Sequence, residues 1–127
     1  MILRSPASII YPNNPTKQSY WSKYGGLNSI IPAGLKQCYD LGVYVKSYYA
    51  NFLSSTYDKS KLYAQSTDID RTLQSAMAFL SGLYQPNADF QWNPYVLSNW
   101  LPIPVHTLPL ISDPVYSILI LNLKFDK

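Results

Sequence analysis

The stretch from Lys61 to Tyr84 constrains this chain more than any other. Lys61–Ser66 alternates, with Leu62 and Ala64 on one face and Tyr63 and Gln65 on the other, the signature of a short strand. Thr67 or Asp68 can cap the helix that follows, and the acidic pair Asp68 and Asp70 suits its positive end. Ile69, Leu73, Ala76, Met77, Leu80, Leu83 and Tyr84 then recur at helical spacing, a buried stripe ending near Gln85-Pro86. Strand, tight turn and helix in this order predict an α/β fold with ligands at the carboxyl end of the strand.

The rest of the chain is read around that unit. Residues 1–31 read as loop, punctuated by Pro6, Pro12, Pro15 and Gly25-Gly26. Pro32 sits where a first helical turn favours it. From Ala33, the positions Leu35, Cys38, Tyr39, Gly42, Val45, Tyr49, Phe52 and Leu53 predict an amphipathic helix of about five turns. Gly34 and Gly42 weaken such a helix by roughly 1 kcal/mol each relative to alanine, which points to close backbone packing. Residues 86–101 read as a Pro/Asn/Trp loop, Ile103–Thr107 as a second strand, and Val115–Leu123 as a third apolar segment of open type.

Composition removes several function classes. The 127 residues suffice for one domain with a core, and 47% hydrophobic content argues against disorder. Charged residues make up only 13% and the formal charge is +3, with Lys and Arg occurring singly. A basic face tracking a nucleic-acid backbone is therefore not expected. No apolar run approaches the roughly 20 residues of a membrane span. One His, one Cys and scattered carboxylates offer no metal-ligand cluster, so neither a metal nor another cofactor is expected. Cys38 is the sole cysteine, so no internal disulfide can form, and it falls on the buried side of its helix. Met1-Ile2-Leu3 runs directly into Arg4 and Pro6, which is not a signal peptide.

Two blocks carry a family resemblance. Gln65-Ser66-Thr67-Asp68-Ile69-Asp70-Arg71-Thr72-Leu73 and Trp100-Leu101-Pro102-Ile103-Pro104-Val105-His106-Thr107 resemble the phosphate-site strand and a downstream signature of the histidine acid phosphatases. Arg4-Ser5-Pro6 is similar to the tail of that family's Arg-His-Gly-x-Arg-x-Pro motif, and Ile31–Gln37 to its Leu-Thr-Pro-x-Gly-x-x-Gln helix start. The resemblance covers about residues 4–109, leaving 110–127 as a divergent tail. It implies a partial histidine-phosphatase (phosphoglycerate-mutase-like) α/β sheet with flanking helices, and residues 1–127 as part of one such domain. It also implies a phosphate monoester substrate, hydrolysed through a phosphohistidine gripped by several arginines, whose forked donors match the phosphoryl oxygens.

Position by position, the resemblance leaves the site depleted. Met1 stands at the nucleophile position and Ile2 at the motif glycine, so Arg4 is the one phosphate ligand of that motif. A solvated arginine in a frayed terminus is the competing reading of Arg4. Gln65 stands where the family has its third phosphate-binding arginine; an amide donates to an oxyanion but brings neither charge nor fork. Loss of one such preorganised donor costs on the order of a hundredfold to a thousandfold in rate. Arg71 is expected to pair with Asp68 or Asp70. His106, the only histidine, matches neither family histidine and reads as a structural or interface residue; the later His-Asp motif is absent before Lys127. Ile31 replaces the usual threonine cap, a loss of roughly 1 kcal/mol.

No residue is assigned as catalytic. The expectation is a segment of an acid phosphatase, a gene-model fragment or a truncated paralogue, inactive as written, whose Lys61–Ser66 strand lacks its natural partner. Family members are lysosomal or secreted and commonly dimeric, so a homodimer to which Trp100–His106 contributes is the partner implied. The alternative is a non-catalytic paralogue whose aromatics (Tyr20, Trp21, Trp92, Trp100) contact a partner or a sugar.

Overall fold

A computed structural model describes residues 2–87, 100–110, 112 and 113. The described elements run α1 (Gln18–Trp21), a 3-10 turn (Ser22–Tyr24), α2 (Pro32–Tyr48), β1 (Ala64–Gln65), α3 (Asp70–Leu83) and β2 (Val105–His106). Helices thus flank a small parallel sheet, the α/β arrangement expected from the strand–turn–helix unit.

The α2–α3 pair is the body of the fold, and glycine lets the two helices touch. A Cβ added at Gly42 would collide with the Phe79 carbonyl oxygen of α3, and one at Gly82 with the Tyr39 carbonyl oxygen of α2. The reading of Gly42 as a packing glycine holds, and Gly82 is its counterpart on the facing helix. Below this contact, Leu80, Leu83 and Tyr84 form a buried cluster with Leu101 and Ile103, flanked by Val45, Leu53, Tyr57, Leu62 and Val105.

α2 begins as expected, with Pro32 in its first turn and Ile31 at the N-cap without a side-chain bond. Its end differs: the helix stops at Tyr48, and Tyr49 and Phe52 are exposed rather than part of a buried stripe. Lys46 explains the stop. Its Nζ donates to the carbonyls of Ser54 and Ser55 and lies 4.3 Å from the Tyr84 ring centre, drawing the chain back on itself. The reversal uses Phe52 and Leu53 N–H donating to the Tyr49 carbonyl and returns Leu53 to the core.

Both strands are shorter than expected. Lys61 and Leu62 are held in a turn by the Asp58 carbonyl, and Pro102, Pro104 and Pro109 beside β2 have no N–H to extend a ladder. β1 is not left unpaired, although its partner is not the family's first strand. It pairs in parallel with β2, Ala64 opposite Val105 and Gln65 opposite His106, and Ser66 N–H donates to the His106 carbonyl at 2.9 Å. The approach of β2 is driven by its neighbours Leu101 and Ile103, which sink into the α3 core.

α3 also starts differently. Neither Thr67 nor Asp68 caps it; Ile69 is the N-cap, with no side-chain bond. Ile69 N–H donates to the Thr67 carbonyl in a tight turn, which keeps Thr67 and Asp68 outside the helix. Thr72 Oγ1 donates back to the carbonyls of Thr67 and Ile69 and steadies the entry instead. Met77, expected in the buried stripe, is 45% exposed. It sits on the rim where the core cluster gives way to Trp100.

Residues 1–31 are not all loop: they hold α1, the 3-10 turn and an antiparallel bridge between Arg4 and Ile30. Tyr20, Trp21 and Tyr24 form an edge-packed aromatic cluster, with Lys23 Nζ 4.0 Å from the Tyr20 ring centre. Local ring packing and this cation–π contact supply the order that the aperiodic sequence did not advertise. Val115–Leu123, Trp92 and most of the 86–101 loop lie outside the described residues.

Candidate functional site

The turn after β1 and the loop before α2 enclose an open cavity of about 550 Å³. Tyr24, Gly25, Leu27, Asn28 and Ser29 come from the loop; Asp68, Ile69, Asp70, Arg71 and Gln74 come from the turn and the first part of α3. The cavity therefore lies past the carboxyl end of β1, where an α/β unit is expected to take its ligand.

Arg4 does not itself line the cavity but is bonded to Asn28, which does, and a chain of specific contacts holds it there. Leu3 N–H donates to Gln37 Oε1 at 3.0 Å, and α2 accepts the Leu3 carbonyl only because Gly34 has no Cβ. Ser5 is fully buried: its N–H donates to the Ser29 carbonyl, its Oγ donates to the carbonyls of Gly26 and Ser29, and it accepts the Ser29 N–H at 2.8 Å. With both neighbours anchored, Arg4 bridges Ile30 and donates from its guanidinium to Asn28 Oδ1. Arg4 is solvent-exposed, as its competing reading had it, but its backbone is paired rather than frayed.

Asn28 has φ of 60°, and Gly25 and Gly26 also have positive φ. Asparagine tolerates this region better than most side chains, which lets the loop turn its amide toward Arg4. Sequence reasoning passed over Ser5 and Asn28. The signal available was a small polar residue directly after Arg4 and a Gly-Gly-x-Asn turn facing it.

Gln65 is exposed on β1, beside His106 on β2, and is not among the cavity's lining residues. Arg4 and Gln65 thus both lie off the cavity lining, Arg4 linked to it through Asn28. His106 stacks on Tyr63, rings 4.6 Å apart and 8° from parallel, and also lies off the cavity. Arg71 departs from expectation: among the described residues it forms no ion pair with Asp68 or Asp70, and all three line the cavity instead.

Cys38 is buried in α2, as expected, and no cluster of potential metal ligands occurs among the described residues. No helix among them is long and apolar enough to cross a membrane. Of the aromatics considered for partner contact, Tyr20 and Trp100 are exposed and Trp21 is half-buried.

The family model for the histidine phosphatase superfamily (branch 2) matches residues 3–114, a span containing both walls of the cavity and both strands. The chain belongs to that superfamily. Prostatic acid phosphatase of Homo sapiens is 43% identical over 110 residues, covering 87% of this chain and 27% of that protein. Prostatic acid phosphatase of Rattus norvegicus is 43% identical over 103 residues, covering 81% and 26%. Lysosomal acid phosphatase of Homo sapiens is 39% identical over 110 residues, covering 87% and 25%. The histidine phosphatase chain described here therefore spans about a quarter of the length of the curated relatives it matches.

Proposed function

We propose that this chain is part of an acid phosphatase domain, that Arg4 is a phosphate ligand of that domain with Gln65 at the margin of its site, and that the 127-residue polypeptide alone does not turn over phosphate monoesters. The observation that carries the reading is the Arg4 guanidinium donating to Asn28, a residue that lines a polar cavity beyond the strand end. A transferring phosphoryl group holds its negative charge on equatorial oxygens, and a preorganised guanidinium is matched to it. Names of the relatives supply the reaction class, acid phosphate-ester hydrolysis.

The chemistry sets the limit on activity. Attack on phosphorus by imidazole needs the ring in line with the ester. The single histidine, His106, is stacked on Tyr63 outside the cavity, and Gln65 offers an uncharged amide where the family resemblance implies an arginine. Cys38 is buried and supplies no alternative nucleophile.

The test is a p-nitrophenyl phosphate assay at acid pH on the purified chain, run beside calorimetric titration with inorganic phosphate. Phosphate should bind weakly and Arg4→Ala should weaken it about tenfold, the effect of one charge-assisted contact, with no turnover above buffer. Turnover abolished by Arg4→Ala would show that fewer groups suffice. A folded chain indifferent to phosphate would favour the non-catalytic, partner-binding alternative.

A further inference from the structure

We infer that Arg71 is a second anion-binding guanidinium, acting from the cavity between the loop at 24–29 and the start of α3, beside Asn28, the residue that holds Arg4; this rests on the reading of Arg4 as a phosphate ligand. Three observations lead there. First, Arg71 has carboxylates one and three residues before it in the chain, yet makes no ion pair with either among the described residues. Second, it lines the same 550 Å³ cavity as Asn28, the residue to which Arg4 is tied. Third, Arg4 can only donate, so the Asn28 oxygen must face it, and the Asn28 Nδ2 group is left with donors to spare.

The cavity offers an oxyanion the Asn28 amide and the Arg71 guanidinium, with the Arg4 guanidinium bonded to that same Asn28. It does so without a charged group at position 65. Forked donors converging from separate elements are the arrangement by which a small anion is oriented as well as attracted. Asp68 and Asp70 line the cavity too and oppose an anion there. Their presence makes the site weak and gives the proposal a second handle, since neutralising one of them should strengthen what removing Arg71 weakens.

The experiment is a 15N-resolved NMR titration of the 127-residue chain with inorganic phosphate, at one mildly acidic pH and constant ionic strength. Arg4→Ala, Arg71→Ala and Asp68→Asn are compared with the parent chain. Arg71→Ala should weaken phosphate about tenfold, as for loss of a charge-assisted contact. Asp68→Asn should strengthen it roughly threefold, the scale of one partly screened charge. Shifts should centre on the amides of 25–29 and 68–74. Retention of the parent's dispersed spectrum shows that each variant folds; Arg71→Lys serves in place of Arg71→Ala if that one does not, with a smaller loss because the fork is gone. Loss of affinity in Arg4→Ala but not at Arg71 overturns this inference and leaves the Arg4 reading standing. Loss at Arg71 but not at Arg4 overturns the Arg4 reading and, with it, the paired action proposed here. No saturable binding by the parent chain overturns both.

Discussion

Ser5 has no exposed surface, and its hydroxyl sits among three backbone groups of the 26–29 loop. Removing it leaves the part-buried Ser29 N–H without its partner. Unsatisfied buried groups of this kind cost about 1–3 kcal/mol. Ser5→Ala should therefore lower unfolding stability by that amount in urea titration, and should weaken phosphate binding as well because Arg4 loses its anchor. At Asp58, hydrogen bonds from the Ser60 hydroxyl and backbone N–H, with Lys61 nearby, outweigh partial desolvation and hold the carboxyl below its ordinary value. A depressed carboxyl stabilises the fold above the ordinary aspartate range and loses that contribution as pH falls through its lower folded value. Carbon-detected NMR titration should place the Asp58 midpoint below that of Asp58 in a Ser60→Ala variant.

Among the elements, the α2–α3 crossing carries the clearest stability prediction. Alanine would gain about 1 kcal/mol of helix propensity over glycine. At Gly42 and Gly82 the opposing atom is a backbone carbonyl, which no rotamer change can move aside. Overpacking of this kind costs about 1–3 kcal/mol or more, so the clash outweighs the propensity. Gly42→Ala and Gly82→Ala should each lower the thermal midpoint, whereas Gly26→Ala, with open space but a positive φ, tests strain alone in the loop. The periodicity of α3 was legible because Leu80 and Leu83 of its stripe, with Tyr84 just beyond, face a single core. The C-terminal end of α2 was not, because Tyr49 and Phe52 keep helical spacing while the Lys46 contacts turn the backbone elsewhere.

For the whole molecule, the exposed side of α2 and the turn after it is unusually apolar. Leu41, Tyr44, Tyr48 and Phe52 are exposed, with Tyr44 and Tyr48 stacked at 5.9 Å. Lys46, the one charge between Leu41 and Phe52, is occupied by the Ser54 and Ser55 carbonyls. Such a surface favours association in solution. Phe52→Lys, at a position 87% exposed, should raise the solubility limit and reduce light scattering while leaving the thermal midpoint within about 0.5 kcal/mol of stability.

The amino-acid order alone determined the α/β class, the helix starting at Pro32, the glycine contact at Gly42 and the acid phosphatase family, because periodicity, glycine placement and motif spacing are local properties of a chain. Tertiary structure alone decided that β1 pairs with β2, that Ser5 and Gly34 seat Arg4 against Asn28, and that Arg71 faces a cavity rather than its neighbouring carboxylates. Each of these depends on which distant groups share a few ångströms of space. Chain spacing cannot report that, since burial, backbone approach and the freedom of a charged side chain are settled only when the elements close on one another.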